Sequence, residues 1–178
     1  TDHISSKLRA EGRESRRNVL KLYRTKTNSL YYTDDDGDYW RIYNFIDNAT
    51  CYSECNDPNL FKKIAYAFGT FQQQLSDFDA TKLKESIPNF HNTPKRLKAF
   101  EISLKKDEHD RANNIAKEIS YIRENASFCN YITDRLDDGR LPLRVTHNDT
   151  KINNVMIDTN TNETICVIDL DTVMPGSL

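Results

Sequence analysis

Long hydrophobic runs are missing from this 178-residue chain. No apolar stretch approaches the length of a bilayer span, which removes membrane-spanning classes from a first reading. An excess of one charge is missing too. The 25 Lys and Arg stand against 27 Asp and Glu, a formal net charge of −2, so neither nucleic acid nor an anionic membrane is expected as a general partner. Cysteine is sparse: Cys51, Cys55, Cys129 and Cys166 form no Cys-x-x-Cys pair. That spacing disfavours a zinc or redox motif and leaves reduced thiols, the default of a cytoplasmic protein. The four histidines are widely scattered. A metal-dependent phosphohydrolase would want more of them at ligand spacing. No glycine-rich loop and no obvious nucleotide-gripping lysine on an early strand is present, and no secretory leader is visible.

What is present concentrates in residues 144–175, RVTHNDTKINNVMIDTNTNETICVIDLDTVMP. The pattern reads as strand, polar loop, strand, turn, strand. Val155-Met156-Ile157 and Ile165-Cys166-Val167-Ile168 are the apolar runs, and Asp158 to Glu163, rich in Asp, Thr and Asn, is the turn. A hairpin built on that turn carries Asp169 back beside the loop that holds Asp149, Lys151 and Asn154. Oxygen-bearing side chains so gathered suit a hard cation such as Mg²⁺, which takes one or two carboxylates plus substrate phosphates. A remaining carboxylate can accept a proton from a hydroxyl, and a lysine can offset charge on a transferring phosphoryl group. These are the parts that phosphoryl transfer to an alcohol requires. As a bare pattern, His, Asp and Asn in a loop are often only turn formers. The flanking apolar runs and the Ile-Asp strand end at hairpin distance add the specificity.

His147-x-Asp149-x-Lys151-x-x-Asn154 followed by Ile168-Asp169 resembles the catalytic loop and metal-binding aspartate of the protein-kinase-like phosphotransferases, in particular the aminoglycoside and choline phosphotransferase family. VTHNDTKINNVMIDT and VIDLDTVMPGS, with WRIYNFID and NFHNTPKRL upstream, are most similar to its N-acetylhexosamine-phosphorylating members, and the resemblance covers most of the chain. It implies a protein-kinase-like α+β fold, ATP and Mg²⁺ as co-substrate and cofactor, and a small-molecule sugar as acceptor at its anomeric hydroxyl. It implies Asp149 as catalytic base, with His147 supporting the loop from beneath and Lys151 near the transferred phosphoryl. Asn154 and Asp169 would hold the metal. Asp171 and His91 receive no firm role, although His91 is better read as a structural hydrogen-bonding group than as a substrate contact.

The rest of the chain falls into elements. Ile4 and Leu8 at helical spacing, with Gly12 as a stop, predict a helix over 2–11. Residues 18–33 read as strand-rich, and Asp34 to Asp38 as a hairpin turn rather than a calcium loop. Tyr39 to Ile46, YWRIYNFI, is the strongest strand by propensity. By resemblance it leads to the hinge, where backbone groups of Asn44, Phe45, Ile46 and Asp47 would meet adenine. Residues 49–56 read as a linker. Asp57-Pro58 caps and starts a helix running to about Ser76, with a core stripe of Phe61, Ile64, Ala65, Phe68 and Leu75. Thr93-Pro94 caps the next, striped by Leu97, Phe100 and Leu104. Residues 107–137 are helical with a break near Asn125 to Ser127, and Gly139 is a C-terminal stop.

The expected architecture is thus α+β. A partial N-lobe, residues 1–47, precedes a largely helical C-lobe, residues 48–178, that carries the catalytic hairpin. The chain starts without methionine and stops just after the metal-binding strand. By resemblance the nucleotide clamp lies upstream and much of the sugar pocket downstream. The expectation is an internal part of a longer kinase, inactive by itself.

Overall fold

The computed structural model describes residues 1–13 and 16–177, and its architecture is α+β: helices with small antiparallel sheets. The described residues group into two compact units, Thr1–Asp79 with Asp149–Val173, and Ala80–Asn148 with Met174–Leu178.

The first unit begins with α1 (Asp2–Ala10), which buries Ile4 and Leu8 and ends where Gly12 takes a positive φ of 70°. Two short antiparallel ribbons follow. In one, β1 (Leu22–Tyr23) pairs with β4 (Ile42–Tyr43); in the other, β2 (Tyr32–Thr33) pairs with β3 (Tyr39–Trp40). The acidic turn closes the second ribbon as its sequence demands. Asp34 N–H donates to the Asp38 carbonyl, and the Asp34 carboxylate accepts from the Asp36 and Asp38 amides.

The expected long strand over 39–46 is not formed. The chain changes partner at Arg41, so YWRIYNFI splits between two ribbons, and Tyr39, Trp40, Ile42 and Phe45 are exposed while Ile46 is buried. High β-propensity measures how well a side chain fits a pleated, half-buried surface. Two-stranded ribbons supply too little of that surface to bury both faces.

The expected linker at 49–56 contains a strand, β5 (Ala49–Thr50). It joins a three-stranded antiparallel sheet in the order β5, β7 (Val155–Asp158), β8 (Thr164–Val167), with Ala49 opposite Asp158 and Thr50 opposite Ile157. This pairing joins residues more than a hundred positions apart, which short-range periodicity does not reveal. Val155, Ile157, Cys166 and Val167 are buried in this sheet.

Helix α2 (Pro58–Gln74) packs on β8. Asp57 caps it by accepting from the Asn59 amide at 2.9 Å, and Pro58 occupies the first helical position. Its buried residues are Leu60, Ile64 and Phe71, with Leu75 just past the end, whereas Phe61 is exposed. The stripe is therefore rotated from the one expected. Leu60 and Phe61 fit the i, i+3, i+4 rule from opposite sides, and only tertiary packing chooses between them.

In the second unit, α3 (Thr93–Lys106) is capped by Asn92, one residue earlier than expected, through a 3.0 Å bond from the Lys95 amide. A 3₁₀ turn over Ala112–Ile115 leads into α4 (Ala116–Glu124). A second, Ala126–Asn130, makes the expected break before α5 (Tyr131–Asp137). Gly139 at φ 76° follows as the expected stop. These helices were expected to carry buried stripes, yet none of their residues is fully buried. Three short helices gathered on one 3₁₀ turn have too few neighbours to cover their apolar faces. Strand β6 (Arg144–Thr146) pairs with β9 (Met174–Gly176), with Thr146 opposite Met174 and Arg144 opposite Gly176.

Candidate active site

The segment between β6 and β7 carries several hydrogen bonds among its own residues. In the second unit, Thr146 Oγ1 donates to Asn148 Oδ1 at 2.7 Å, and Asn148 Nδ2 donates back to the Thr146 carbonyl at 3.1 Å. That exchange holds Asn148 at φ 63°, a left-handed conformation that asparagine tolerates because its short side chain can bond locally. His91 Nε2 lies 2.8 Å from the Asn148 carbonyl, which makes His91 a structural group of this loop. His147 is completely buried.

In the first unit the loop closes on Asp149. Its carbonyl accepts from the Lys151 amide at 2.9 Å and from Asn154 Nδ2 at 2.8 Å. Its carboxylate Oδ2 accepts from Lys151 Nζ at 2.8 Å and from the same Asn154 nitrogen at 3.3 Å. The hydrogen bond and charge of Asp149 raise the Lys151 pKa, so the lysine is firmly cationic. A 3₁₀ turn, Ile152–Asn154, turns Asn154 inward, where it is buried, and delivers the chain into β7.

The hairpin then returns Asp169. The Ile168 amide donates to the Asn154 carbonyl at 2.9 Å, so Asp169 emerges one residue from a direct backbone contact with Asn154. Asp169 sits at φ 57°, ψ 60°, another left-handed residue and a mildly strained one. The Asn154 side chain bonds Asp149 through Nδ2, so its carboxamide oxygen is the hard donor it could give a cation. An amide oxygen and one carboxylate are the oxygen set a hard divalent cation accepts when phosphates supply further ligands. Among the described residues no group of three or more His, Cys, Asp or Glu side chains is placed to hold a metal alone.

A cavity of about 350 Å³ opens next to Asp169. Asn44, Phe45 and Ile46 wall one side, and Met156, Ile168 and Leu20 add apolar surface. Three of the four expected hinge residues thus reach the cavity that Asp169 borders. Asp47 does not: its carbonyl accepts from Arg17 Nη2 at 2.8 Å, while Arg17 Nη1 holds Asp158 Oδ2 at 2.8 Å. The Asn44 side chain is committed to the backbone as well, accepting from the Lys21 amide and donating to the Arg16 carbonyl.

Two further charged groups line the same cavity, Arg41 and Asp171, and they are hydrogen-bonded to each other. The side chains are 46% and 59% exposed, a pair that contributes roughly 0.2–1 kcal/mol. Arg41 was not singled out from the sequence. The signal was a lone charge in the middle of an apolar run.

A model of the phosphotransferase enzyme family matches residues 12–178. The chain belongs to that family. Its members are small-molecule phosphotransferases with a kinase-like fold, which agrees with the α+β architecture. Among the described residues no helix is long and apolar enough to cross a membrane.

Proposed function

We propose that this phosphotransferase moves the terminal phosphoryl group of ATP to a sugar hydroxyl, and that the acceptor is the anomeric hydroxyl of N-acetylglucosamine or N-acetylgalactosamine. The observation that carries the transferase chemistry is the Lys151–Asp149–Asn154 cluster, bonded at 2.8 to 3.3 Å, with Asp169 brought beside it by the Ile168–Asn154 backbone bond. The acceptor rests on the likeness of VTHNDTKINNVMIDT and VIDLDTVMPGS to N-acetylhexosamine 1-kinase.

Asp149 orients the acceptor hydroxyl and takes its proton as the oxygen attacks phosphorus. Lys151 and Asn154 fix its Oδ2 and its main-chain carbonyl. Lys151, on the exposed side of that pair, places positive charge where the equatorial oxygens of the transferring group develop theirs. Asn154 and Asp169 would hold Mg²⁺, which would offset the charge of the nucleotide phosphates. His147 fills the space under the loop. Backbone groups of Asn44, Phe45 and Ile46 face the purine on the cavity wall.

The test is ADP formation by the full-length protein that contains this chain, with Mg²⁺ and ATP, across N-acetylglucosamine, N-acetylgalactosamine, glucose, choline, homoserine and an aminoglycoside. The expected result is turnover with the two N-acetylhexosamines and a product phosphorylated at the anomeric carbon. Asp149→Ala should abolish it with the circular dichroism spectrum unchanged. Turnover confined to another acceptor overturns the substrate and keeps the transfer chemistry. Absence of turnover with every acceptor, together with no binding of Mg²⁺-ATP, overturns both.

A further inference from the structure

Arg41 is the one cationic side chain on the cavity wall among the described residues, and it faces two carboxylates there, Asp169 and Asp171. We propose that Arg41 recognises the nucleotide phosphates and that Asp171 is a built-in competitor, a carboxylate that occupies the guanidinium until a polyphosphate displaces it. This rests on the reading of the cavity as the nucleotide site, and it assigns two residues that the transfer chemistry leaves without a task.

Three features carry it. The first is place: Arg41 lies between β3 and β4, in neither ladder, where the chain switches from one ribbon to the other. Its side chain turns to the cavity, with the guanidinium carbon 5.6 Å from the Tyr43 ring centroid, a contact that steadies a planar cation. The second is chemistry. A guanidinium binds carboxylate and phosphate oxygens alike, and Asp171 Oδ1, bonded to Arg41 Nη2, occupies a position a phosphate oxygen would take. The third is strength. Both ends of the pair are about half exposed, and such pairs are weak. A polyphosphate carrying several negative charges therefore outcompetes a single carboxylate. The exchange also sets an order, because Asp171 once released adds its charge to that of Asp169, and the cavity then favours a cation arriving with the phosphates.

The experiment is equilibrium binding of adenosine, AMP, ADP and ATP, each with and without Mg²⁺, to the unaltered chain and to Arg41→Ala, Arg41→Lys and Asp171→Asn. Thermal melting checks that each variant is folded. Arg41→Ala should leave adenosine affinity within about twofold and lower ATP affinity at least about tenfold, with the loss growing from AMP to ATP. Arg41→Lys should recover part of it, as a point charge without the fork. Asp171→Asn should tighten ATP by up to about fivefold, the weight of the exposed pair it frees. An equal loss for adenosine and ATP in Arg41→Ala overturns the proposal, since Arg41 would then only shape the wall. Weaker Mg²⁺-ATP with unchanged metal-free ATP in Asp171→Asn also overturns it, since Asp171 would be a metal ligand. If adenosine fails to bind the unaltered chain, the nucleotide reading itself falls and this inference with it. If adenosine binds and Arg41→Ala leaves ATP unaffected, this inference alone falls.

Discussion

Gly176→Ala is a methyl group's worth of change, and it should be felt by Asn148, the residue that precedes Asp149. A Cβ on Gly176 would stand 2.6 Å from Thr146 Oγ1 and 3.0 Å from Asn148 Oδ1, where ordinary contact begins at 3.4 Å. Neither atom is the end of a long flexible chain. Thr146 is β-branched and buried in β6, and its hydroxyl is the donor that fixes Asn148. Relief requires the strands to part or the Thr146 rotamer to change. Overpacking of this kind costs about 1–3 kcal/mol, and loss of the Thr146–Asn148 bond adds about 1 kcal/mol. Urea denaturation should thus show Gly176→Ala less stable by roughly 2–4 kcal/mol with an unchanged slope. Thr146→Ala removes the nearest atom. Gly176→Ala with Thr146→Ala should therefore be more stable than the sum of the single effects, with a coupling of at least about 1 kcal/mol. A loss below about 0.5 kcal/mol in Gly176→Ala, or no coupling in the cycle, would refute the close-approach argument.

Other perturbations reach other parts of the molecule. Burial pushes the Cys166 thiol up to about 12, so at pH 8 a thiol reagent should modify Cys55 and Cys129 and spare Cys166 until the chain is unfolded. Lys7 and then His3 hold the Asp77 carboxyl down at about 2. The folded value lies below the ordinary one, so this stabilisation is complete above about pH 4 and is lost as pH falls through 2. Asp77→Asn should therefore lower the melting temperature at pH 7 and leave it unchanged near pH 2. Asp57→Ala removes the cap of α2 and should cost roughly 0.5–2 kcal/mol in chemical denaturation, with Asp57→Asn restoring most of it.

What was legible in the sequence was what the chain settles with near neighbours. The catalytic hairpin, the acidic turn, the Asp57-Pro58 helix start and the Gly12 and Gly139 stops each depend on contacts within a few residues, and each stands where its residues place it. What was not legible depends on partners chosen at a distance. β5 borrows its partner from Ile157 and Asp158, and YWRIYNFI is divided because Leu22 and Tyr23 claim one half while Tyr32 and Thr33 claim the other. Helix stripes were seen as stripes but not by which edge faces inward. Phe61 and Leu60 differ only in what β8 offers them.

The same division runs through the candidate site. Asp149 takes bonds from Lys151 and Asn154, two and five positions along, so its carboxylate is held by the loop that carries it. The cavity wall is gathered instead from Leu20, from Arg41 to Ile46, from Met156 and from Ile168 to Asp171. Asn154 links the two. Its side chain grips Asp149 while its carbonyl receives the Ile168 amide that positions Asp169. Asn154→Ala removes the side-chain grip on Asp149 but keeps the backbone carbonyl that receives the Ile168 amide, so it should loosen Asp149 while the β7–β8 hairpin still returns Asp169 to its place.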